Sequence, residues 1–358
     1  MRILLAAGVW ACLTGACRRE PVPGTPSAPT ATATADARGT TMGDSNDKPN
    51  AAGEISLSVT ARADVPAALV AFDGAGELVT ADERRAMRWR AQAPGAPIDL
   101  AAWAPVKSLA VAADGTVLAG AARIAADGSI GGDAAAFRAA FGAAGKASAL
   151  WTLTAAAWRG DGAELWLSTR RQPPTSKGPA PAGPRARFLV LGSGLAIARE
   201  LDGGGVPWSR IIAAPTWTAT VGAGLQLWPA SGGAAVELAK APPGAIAASG
   251  DGRVVAAGTL GRATAWSAPD GRELASWDVP GQAVTAIAAS RDGALIATAD
   301  DAGAIRLWRL DGGAAREVAS AEADPMVTGL AFSPDDRRLA AVSPMPPGGT
   351  TLLAIRTR

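Results

Sequence analysis

The side chains that most often serve as general bases, nucleophiles and metal ligands are scarce in this 358-residue chain. It contains no histidine and no tyrosine, and its two cysteines, Cys12 and Cys17, stand close together near the N-terminus. Histidine is the commonest general base and metal ligand, and thiolates hold most structural zinc ions. The sequence therefore predicts no catalytic residue, no metal site and no cofactor.

Carboxylates remain as possible acids, and six aspartates recur in one pattern. Five precede a glycine and the last precedes a second aspartate: Asp73, Asp114, Asp161, Asp251, Asp292 and Asp335. Asp-Gly favours a tight hairpin in which both central residues have positive φ. The regular recurrence predicts turn residues rather than catalytic acids. A fold that gathers distant loops at one face could still bring a carboxylate pair together.

The N-terminus offers one site of covalent chemistry. A basic start is followed by an apolar run, Ile3 to Thr14, which has signal-peptide length and is too short to span a bilayer comfortably. The sequence Leu13-Thr14-Gly15-Ala16-Cys17 resembles the lipobox of bacterial lipoproteins, although Thr14 stands where that family most often has leucine. The resemblance implies cleavage before Cys17 and its acylation. An ordinary secretory signal cleaved near Ala16 is the alternative.

This interpretation divides the chain into three parts. We expect a lipoprotein signal peptide at 1–16, a tether at 17–53 whose composition cannot support a core, and a folded region at 54–358. The lipoprotein resemblance implies an extracytoplasmic protein anchored by lipid in the bacterial cell envelope. Arg18 replaces the aspartate that signals inner-membrane retention, which favours the outer membrane or the surface.

The aspartate turns belong to a repeat of about 40 residues. Residues 283–313 show it best: two strands joined at Asp292-Gly293, a third strand that ends at Ile305-Arg306-Leu307-Trp308, and a turn into a fourth. A tryptophan ends the third strand in four repeats, at Trp89, Trp228, Trp266 and Trp308. Four antiparallel strands per repeat are typical of a propeller blade.

The repeats predict an all-β, seven-bladed β-propeller, with six or eight blades as alternatives. The last repeat supplies three strands, and the alternating segment Ile55–Val59 has no partner of its own. We therefore expect this N-terminal strand to complete the last blade and protect its edge.

A basic insertion at 170–187 interrupts the connection between strands two and three of the third blade. It contains no acidic residue, and its basic residues are Arg170, Arg171, Lys177, Arg185 and Arg187. Two interpretations stay open: a solvated loop, or a flexible arm that meets an acidic partner or anionic lipid headgroups.

Two phrases resemble WD40 repeats: Ala331-Phe332-Ser333-Pro334-Asp335-Asp336 and Ile305-Arg306-Leu307-Trp308. The resemblance is clear over 240–358 and diluted over 54–240. The Trp-Asp pair of that family is missing from strand three, and Gln282 stands where the family has histidine. Without histidine, the family's Asp–His–Ser/Thr–Trp hydrogen-bond network cannot form. We expect packing of tryptophan and alanine between sheets to hold the fold instead.

Together these features predict a membrane-anchored, monomeric WD40-like propeller that acts as a protein-binding scaffold. The formal net charge of +2 does not indicate a nucleic-acid-binding surface. An extracytoplasmic enzyme or small-molecule sensor that uses carboxylates at the channel mouth is the alternative, because a propeller fold by itself does not determine function.

Overall fold

The computed structural model describes residues 55–357, with gaps at 91–92, 104, 113–115, 126, 133, 136, 138–150, 160–161, 172–184, 203–204, 269, 282 and 345–347. The predicted signal peptide and tether, including Cys17, lie outside the described residues. So do four residues named above: Asp114, Asp161, Lys177 and Gln282.

Strands account for most of the described chain. In chain order they are β1 (Ile55–Ala63), β2 (Leu69–Phe72), β3 (Leu78–Ala81), β4 (Arg85–Arg90), β5 (Ala93–Pro94), β6 (Ile98–Asp99), β7 (Leu109–Val111), β8 (Val117–Ala119), β9 (Ala122–Ile124), β10 (Ile130–Gly131), β11 (Trp151–Trp158), β12 (Glu164–Arg171), β13 (Ala186–Gly192), β14 (Ile197–Leu201), β15 (Arg210–Ala214), β16 (Trp217–Val221), β17 (Leu225–Pro229), β18 (Val236–Ala239), β19 (Ala245–Ala248), β20 (Val254–Gly258), β21 (Arg262–Ser267), β22 (Glu273–Asp278), β23 (Val284–Ala289), β24 (Leu295–Asp300), β25 (Ala304–Asp311), β26 (Ala314–Glu322), β27 (Gly329–Phe332), β28 (Arg338–Val342) and β29 (Thr350–Thr357). A short 3₁₀ helix spans Ala101–Trp103.

The described strands form seven antiparallel sheets, which are the blades of a propeller. Blade one contains β2–β6, blade two β7–β10, blade three β11–β14, blade four β15–β18, blade five β19–β22 and blade six β23–β26. Blade seven has the order β27-β28-β29-β1. The predicted seven-bladed propeller is confirmed, and blades four to six follow the predicted strand pattern.

The N-terminal strand completes the last blade, as predicted. β1 runs antiparallel to β29 from Ile55 opposite Thr357 to Ala63 opposite Thr350, with a bulge between Val59 and Ala61. β1 is longer than the sequence pattern indicated, because the pairing continues beyond that bulge. Blade seven is thereby built from both ends of the folded region, so the ring is closed by β-sheet hydrogen bonds.

The core lies between neighbouring sheets and is rich in small side chains. Between blades six and seven, Ala297, Ile305, Leu307, Leu339 and Leu353 are all fully buried. Strands in the middle of a blade are buried on both faces, as in β20 and β28. The outer strands β18 and β26 contain only half-buried and exposed residues. Alanine and β-branched residues therefore set a close spacing between sheets.

Three tryptophans, two of them buried and Trp228 half-buried, also make hydrogen bonds that the sequence analysis did not expect. The indole Nε1 donates to a threonine Oγ1 on the neighbouring strand at 2.9 Å in blades one, four and six, in the pairs Trp89–Thr80, Trp228–Thr220 and Trp308–Thr298. The expectation that packing alone replaces the WD40 network is therefore wrong in these blades. The Trp–Thr bond forms without histidine, because both partners lie on paired strands of one sheet.

Blade five lacks this bond because of one residue. The strand register pairs Ala257 with Thr264, which lies two residues before Trp266. Ala257 therefore occupies the position where the other three blades have threonine. Trp266 is buried all the same. In this blade the tryptophan is held by packing, as the sequence analysis expected for the whole fold.

Candidate functional site

The recurrent aspartates of blades five, six and seven lie in the turn between strands one and two. Ser290 Oγ donates to Asp292 Oδ1 at 2.8 Å, and that carboxylate accepts the backbone N–H of Ala294. Serine and aspartate make the same bonds in the turns at Asp251 and Asp335. The backbone N–H of Ala294 and the Ser290 hydroxyl lower the pKa of Asp292 below its usual value, although desolvation opposes them.

The predicted geometry of these turns is wrong in one respect. Only the fourth turn residue has positive φ: Gly252 at 70°, Gly293 at 71° and Asp336 at 55°. Asp251 and Asp292 keep negative φ and accept hydrogen bonds from the turn backbone. The turn thus needs aspartate as an acceptor and glycine as a left-handed residue, rather than two left-handed residues.

Asp73 occupies a different place in its turn. Its carbonyl oxygen accepts from Gly76, so Asp73 is the first turn residue, where blades five to seven have serine. Its Oδ1 accepts from the backbone of Ala75 and Glu77, and its Oδ2 lies 2.8 Å from Arg88 Nη1. The prediction that every Asp-Gly shares one phase is therefore wrong for blade one.

These turns also join neighbouring blades. In three places a side chain of one blade donates to the carbonyl oxygen of the positive-φ glycine in the next blade: Arg123 to Gly162, Trp217 to Gly252 at 2.6 Å, and Arg338 to Gly76 at 2.7 Å. Between blades six and seven, the backbone N–H of Arg291 donates to Asp336 Oδ1 instead. We call these contacts the inter-blade turn bonds. They bridge residues far apart in sequence, and no local pattern indicates them.

The opposite face of the propeller is the candidate functional site. Strand two–three turns and the links between blades share this face, because each blade is an antiparallel meander; we call it the connection face. The links are hydrogen-bonded to the strand two–three turn of the preceding blade. The backbone N–H of Val284 donates to the carbonyl oxygen of Thr259, and that of Met326 donates to the carbonyl oxygen of Asp301. These backbone hydrogen bonds hold the loops of the face against the rigid ring.

Three large apolar side chains are exposed on the connection face. Leu260 is 82% exposed in the strand two–three turn of blade five. Met326, in the link to blade seven, is 45% exposed and has a φ of 61°, and Val206, in the link to blade four, is 42% exposed. Positive φ is uncommon for a non-glycine residue and tends to persist where surroundings or function require it. Other exposed large apolar residues of the described chain lie on outer strands: Val59, Ile130, Ile197 and Val236.

Charged residues surround an open depression at the blade one sector of this face. Its volume is about 730 Å³, and its charged lining is Asp82, Glu83, Arg84, Arg85 and Asp99. Asp82 pairs with Arg85 at 2.9 Å and Glu83 with Lys107 at 2.5 Å. Desolvation opposes but does not outweigh the hydrogen bonds from Arg84 and Arg85, so the pKa of Asp82 is lowered. A general acid needs a raised pKa, and Asp82 has the opposite.

An ion pair occupies the strand two–three turn of blade six. Asp300 Oδ2 lies 3.0 Å from Arg306 Nη1, and both side chains are largely buried. Asp300 Oδ1 also accepts from the backbone of Ala302 and Ala304. An arginine on strand three thus neutralises the turn aspartate. The sequence analysis assigned no role to Arg306.

The basic insertion is only partly described. Arg170 and Arg171 lie in β12 and Arg187 in β13, while Arg185 is exposed just before β13. Arg187 makes two hydrogen bonds to Glu200, at 3.0 Å each. Hydrogen bonding to Arg187 lowers the pKa of Glu200. Arg187 is therefore a strand residue paired with Glu200, whereas the sequence analysis placed it in a loop insertion.

The described residues contain no group of three or more His, Cys, Asp or Glu side chains arranged to hold a metal ion. No helix among them is both long and apolar enough to cross a membrane.

Comparison with known proteins supports the WD40 resemblance. Residues 269–309, in blades five and six, match the family model "WD40: WD domain, G-beta repeat". The solved structure "Crystal structure of RRP9 WD40 repeats" superposes with a TM-score of 0.63 at 13% identity, covering 85% of this chain and 99% of that chain. "Structure of U3-55K" gives a TM-score of 0.61 at 12% identity, covering 84% and 98%. No curated protein matches the sequence. At these identities the likeness shows the fold, a WD40-type propeller.

Proposed function

We propose that this protein is a monomeric, lipid-anchored, extracytoplasmic propeller that binds a protein partner on its connection face. The observation that carries the proposal is the exposure of Leu260, Met326 and Val206 on one face of a closed ring. WD40 propellers typically act as protein-interaction scaffolds, and the fold found here is of that type.

The chemistry of the connection face fits a protein better than a small molecule. Apolar side chains that protrude, such as Leu260, can fill pockets of a partner and act as anchors of an interface. The depression near Asp82 is lined mainly by charged residues and is open, whereas small-molecule sites enclose most of their ligand. Charged residues such as Arg84 and Asp99 would form the polar rim that usually surrounds an interface core.

Membrane attachment rests on the N-terminal sequence. Two or more acyl chains on Cys17 would give a stable anchor, whereas one chain binds a membrane only marginally. A random coil with the length of the proposed tether has a root-mean-square span of about 33–36 Å. That reach lets the propeller meet partners near the membrane without resting on it.

Partner binding is tested with a double variant that carries Leu260→Ser and Met326→Ser. Partners are crosslinked to this variant and to the natural protein and recovered from membranes. Burial of two large apolar side chains is worth several kcal/mol, so we expect at least a tenfold loss of the partner recovered by the natural protein. Ile197→Ser, on outer strand β14 and also exposed, is the matched control and should leave recovery unchanged. Equal recovery with the double variant would exclude the connection face as the docking site.

Attachment is tested separately by radiolabelled palmitate. The natural chain should be labelled and should sediment with membranes, and Cys17→Ser should lose both properties. A Cys12→Ser variant controls for the second cysteine and should keep the label. Labelling that persists in Cys17→Ser contradicts the proposed anchor without affecting the docking proposal.

A further inference from the structure

A small cleft lies between blades two and three, and none of the exposed apolar residues of the proposed docking site lines it. Its volume is about 220 Å³, and its side-chain lining includes Trp103, Arg123, Trp158, Ser193 and Leu195. Drug-sized ligand pockets measure about 300–1,000 Å³, so this cleft is the size of a small ligand.

The guanidinium of Arg123 is the one charged group in the cleft lining. It stacks on the indole of Trp158, 4.1 Å from the ring centroid, and donates from Nη2 to the carbonyl oxygen of Gly162. Within the described part of the chain, no carboxylate forms an ion pair with it. A guanidinium has five N–H donors, so a single carbonyl leaves most of them free to bind an anion.

Four other half-buried arginines of the described chain are neutralised, whereas half-buried Arg309 and Arg338 have no ion pair within it. Arg88, Arg187, Arg199 and Arg306 each pair with a carboxylate, at 2.8–3.0 Å. Keeping a cation partly out of water without an anion is unfavourable, and a protein usually supplies the partner. At Arg123 the chain supplies an open cleft in place of that partner.

Apolar side chains form part of the walls of the cleft. The indoles of Trp103 and Trp158 both line it. Gly132 has a φ of 101°, and a Cβ there would lie 3.0 Å from Trp103 Cη2, so glycine is needed where the backbone meets that ring. Leu195, a buried lining residue, has a φ of 63°. Strained residues of this kind cluster at ligand sites.

We propose that this cleft binds a small aromatic carboxylate. The carboxylate meets the free N–H edge of Arg123, where a bidentate pair is the favoured geometry, and the ring lies against the two indoles. Binding is reversible and involves no covalent step. It is independent of the partner that docks on the connection face.

Benzoate and its neutral analogue benzamide test the proposal by calorimetric titration of the full chain. Hydrogen bonds to charged groups contribute about 1.5–3 kcal/mol, so benzoate should bind roughly 10- to 150-fold more tightly than benzamide. Arg123→Gln should abolish this preference. Equal affinity for the two probes, or no binding of benzoate at millimolar concentration, overturns the proposal.

Arg338→Gln is the matched control for Arg123→Gln. Arg338 also donates to a glycine carbonyl of the next blade and lies over an aromatic ring, Phe72, at 5.2 Å, but it lines no part of the cleft. It should therefore keep the benzoate preference while losing a similar inter-blade turn bond. If Arg123→Gln does not fold, Arg123→Lys replaces it: the retained charge should preserve the preference for benzoate at a severalfold lower affinity, and loss of preference would contradict the assigned role.

Discussion

At the scale of single residues, the structure retains part of a hydrogen-bond network whose histidine the chain does not contain. Thr80, Thr220 and Thr298 accept from tryptophans because the strand register sets them opposite the residue two before each indole. The tryptophans were visible in the sequence through their regular spacing. The threonines were not, since the residue opposite a given tryptophan depends on register, which sequence spacing alone does not fix.

The first prediction concerns the buried bond in blade six. Thr298→Val preserves the shape of the side chain but leaves Trp308 Nε1 without its acceptor, which is 2.9 Å away in the natural protein. An unsatisfied buried donor costs about 1–3 kcal/mol, so the free energy of unfolding should fall by that amount in urea denaturation. Thr285→Val, whose longer 3.3 Å bond is only partly buried, should cost less. Equal losses would mean that the Trp–Thr bond has no special weight.

The second prediction concerns pH and two adjacent aspartates. Burial raises the pKa of Asp336, the Arg291 N–H opposes this, and the charges of Asp292 and Asp335 raise it further. Folding therefore disfavours the charged form of Asp336, and this penalty appears as pH rises through its folded pKa. Asp336→Asn should stabilise the protein at pH 7 by on the order of 0.5 kcal/mol, since Asn tolerates positive φ and can still accept from Arg291.

Asp335→Asn should have the opposite sign. The Ser333 hydroxyl lowers the pKa of Asp335 against a smaller desolvation, so its charge stabilises the fold above its unfolded pKa and this contribution is lost as pH falls through the folded value. Urea denaturation at pH 7 and at about pH 3, below the ordinary Asp pKa, measures both variants. The effect of each should shrink at the lower pH. Effects of the same sign at pH 7 would refute the assignment.

At the scale of turns and strands, the sequence predicted where the turns lie better than it predicted their backbone conformation. The turns of blades five to seven lie where Asp251, Asp292 and Asp335 placed them, yet their backbone conformation differs from the expected type. The Asp-Gly pair is compatible with more than one turn, and the preceding serine decides between them by accepting from the backbone beyond the turn. The inter-blade turn bonds could not be predicted, because three of them are accepted by backbone carbonyls and the fourth is donated by the backbone N–H of Arg291, and backbone groups carry no residue signature.

The third prediction separates conformational strain from crowding at turn glycines. Gly293 and Gly312 both have positive φ, at 71° and 57°. A Cβ on Gly293 would overlap Val254 of blade five, whereas a Cβ on Gly312 meets no atom within 4 Å. Gly312→Ala should cost about 1–2 kcal/mol from backbone strain, and Gly293→Ala should add about 1–3 kcal/mol of overpacking. Thermal unfolding of both variants checks this order, and an equal cost would show that the blades separate easily.

At the scale of the whole molecule, repetition made the fold predictable. A period of about 40 residues that repeats the turn and the tryptophan indicates blades even where single repeats have diverged. In blade two, for example, Ile124 ends strand three in place of the tryptophan. The candidate site was less predictable. Leu260 and Met326 lie in short loops without a motif, and Arg123 joins Trp103 and Trp158 only because blades two and three pack side by side. Such contacts depend on the ring rather than on any one repeat.

The last prediction concerns closure of that ring by β1. Deleting residues 55–63 removes the strand that pairs with β29 and exposes its edge, and it also removes Arg62, which donates to the carbonyl of Glu322 and lies 3.7 Å from Asp324. An uncovered strand edge promotes association, and an open ring loses contacts between blades six and seven, so the variant should unfold at lower temperature and form oligomers. Light scattering and calorimetry measure both effects.

A deletion of 18–53 that retains β1 is the matched control and should leave the unfolding temperature unchanged. A synthetic 55–63 peptide added to the shortened protein should recover part of the lost stability, since β-strand addition supplies the same backbone hydrogen bonds. An unchanged unfolding temperature without β1 would mean that the remaining three strands of blade seven suffice to hold the ring.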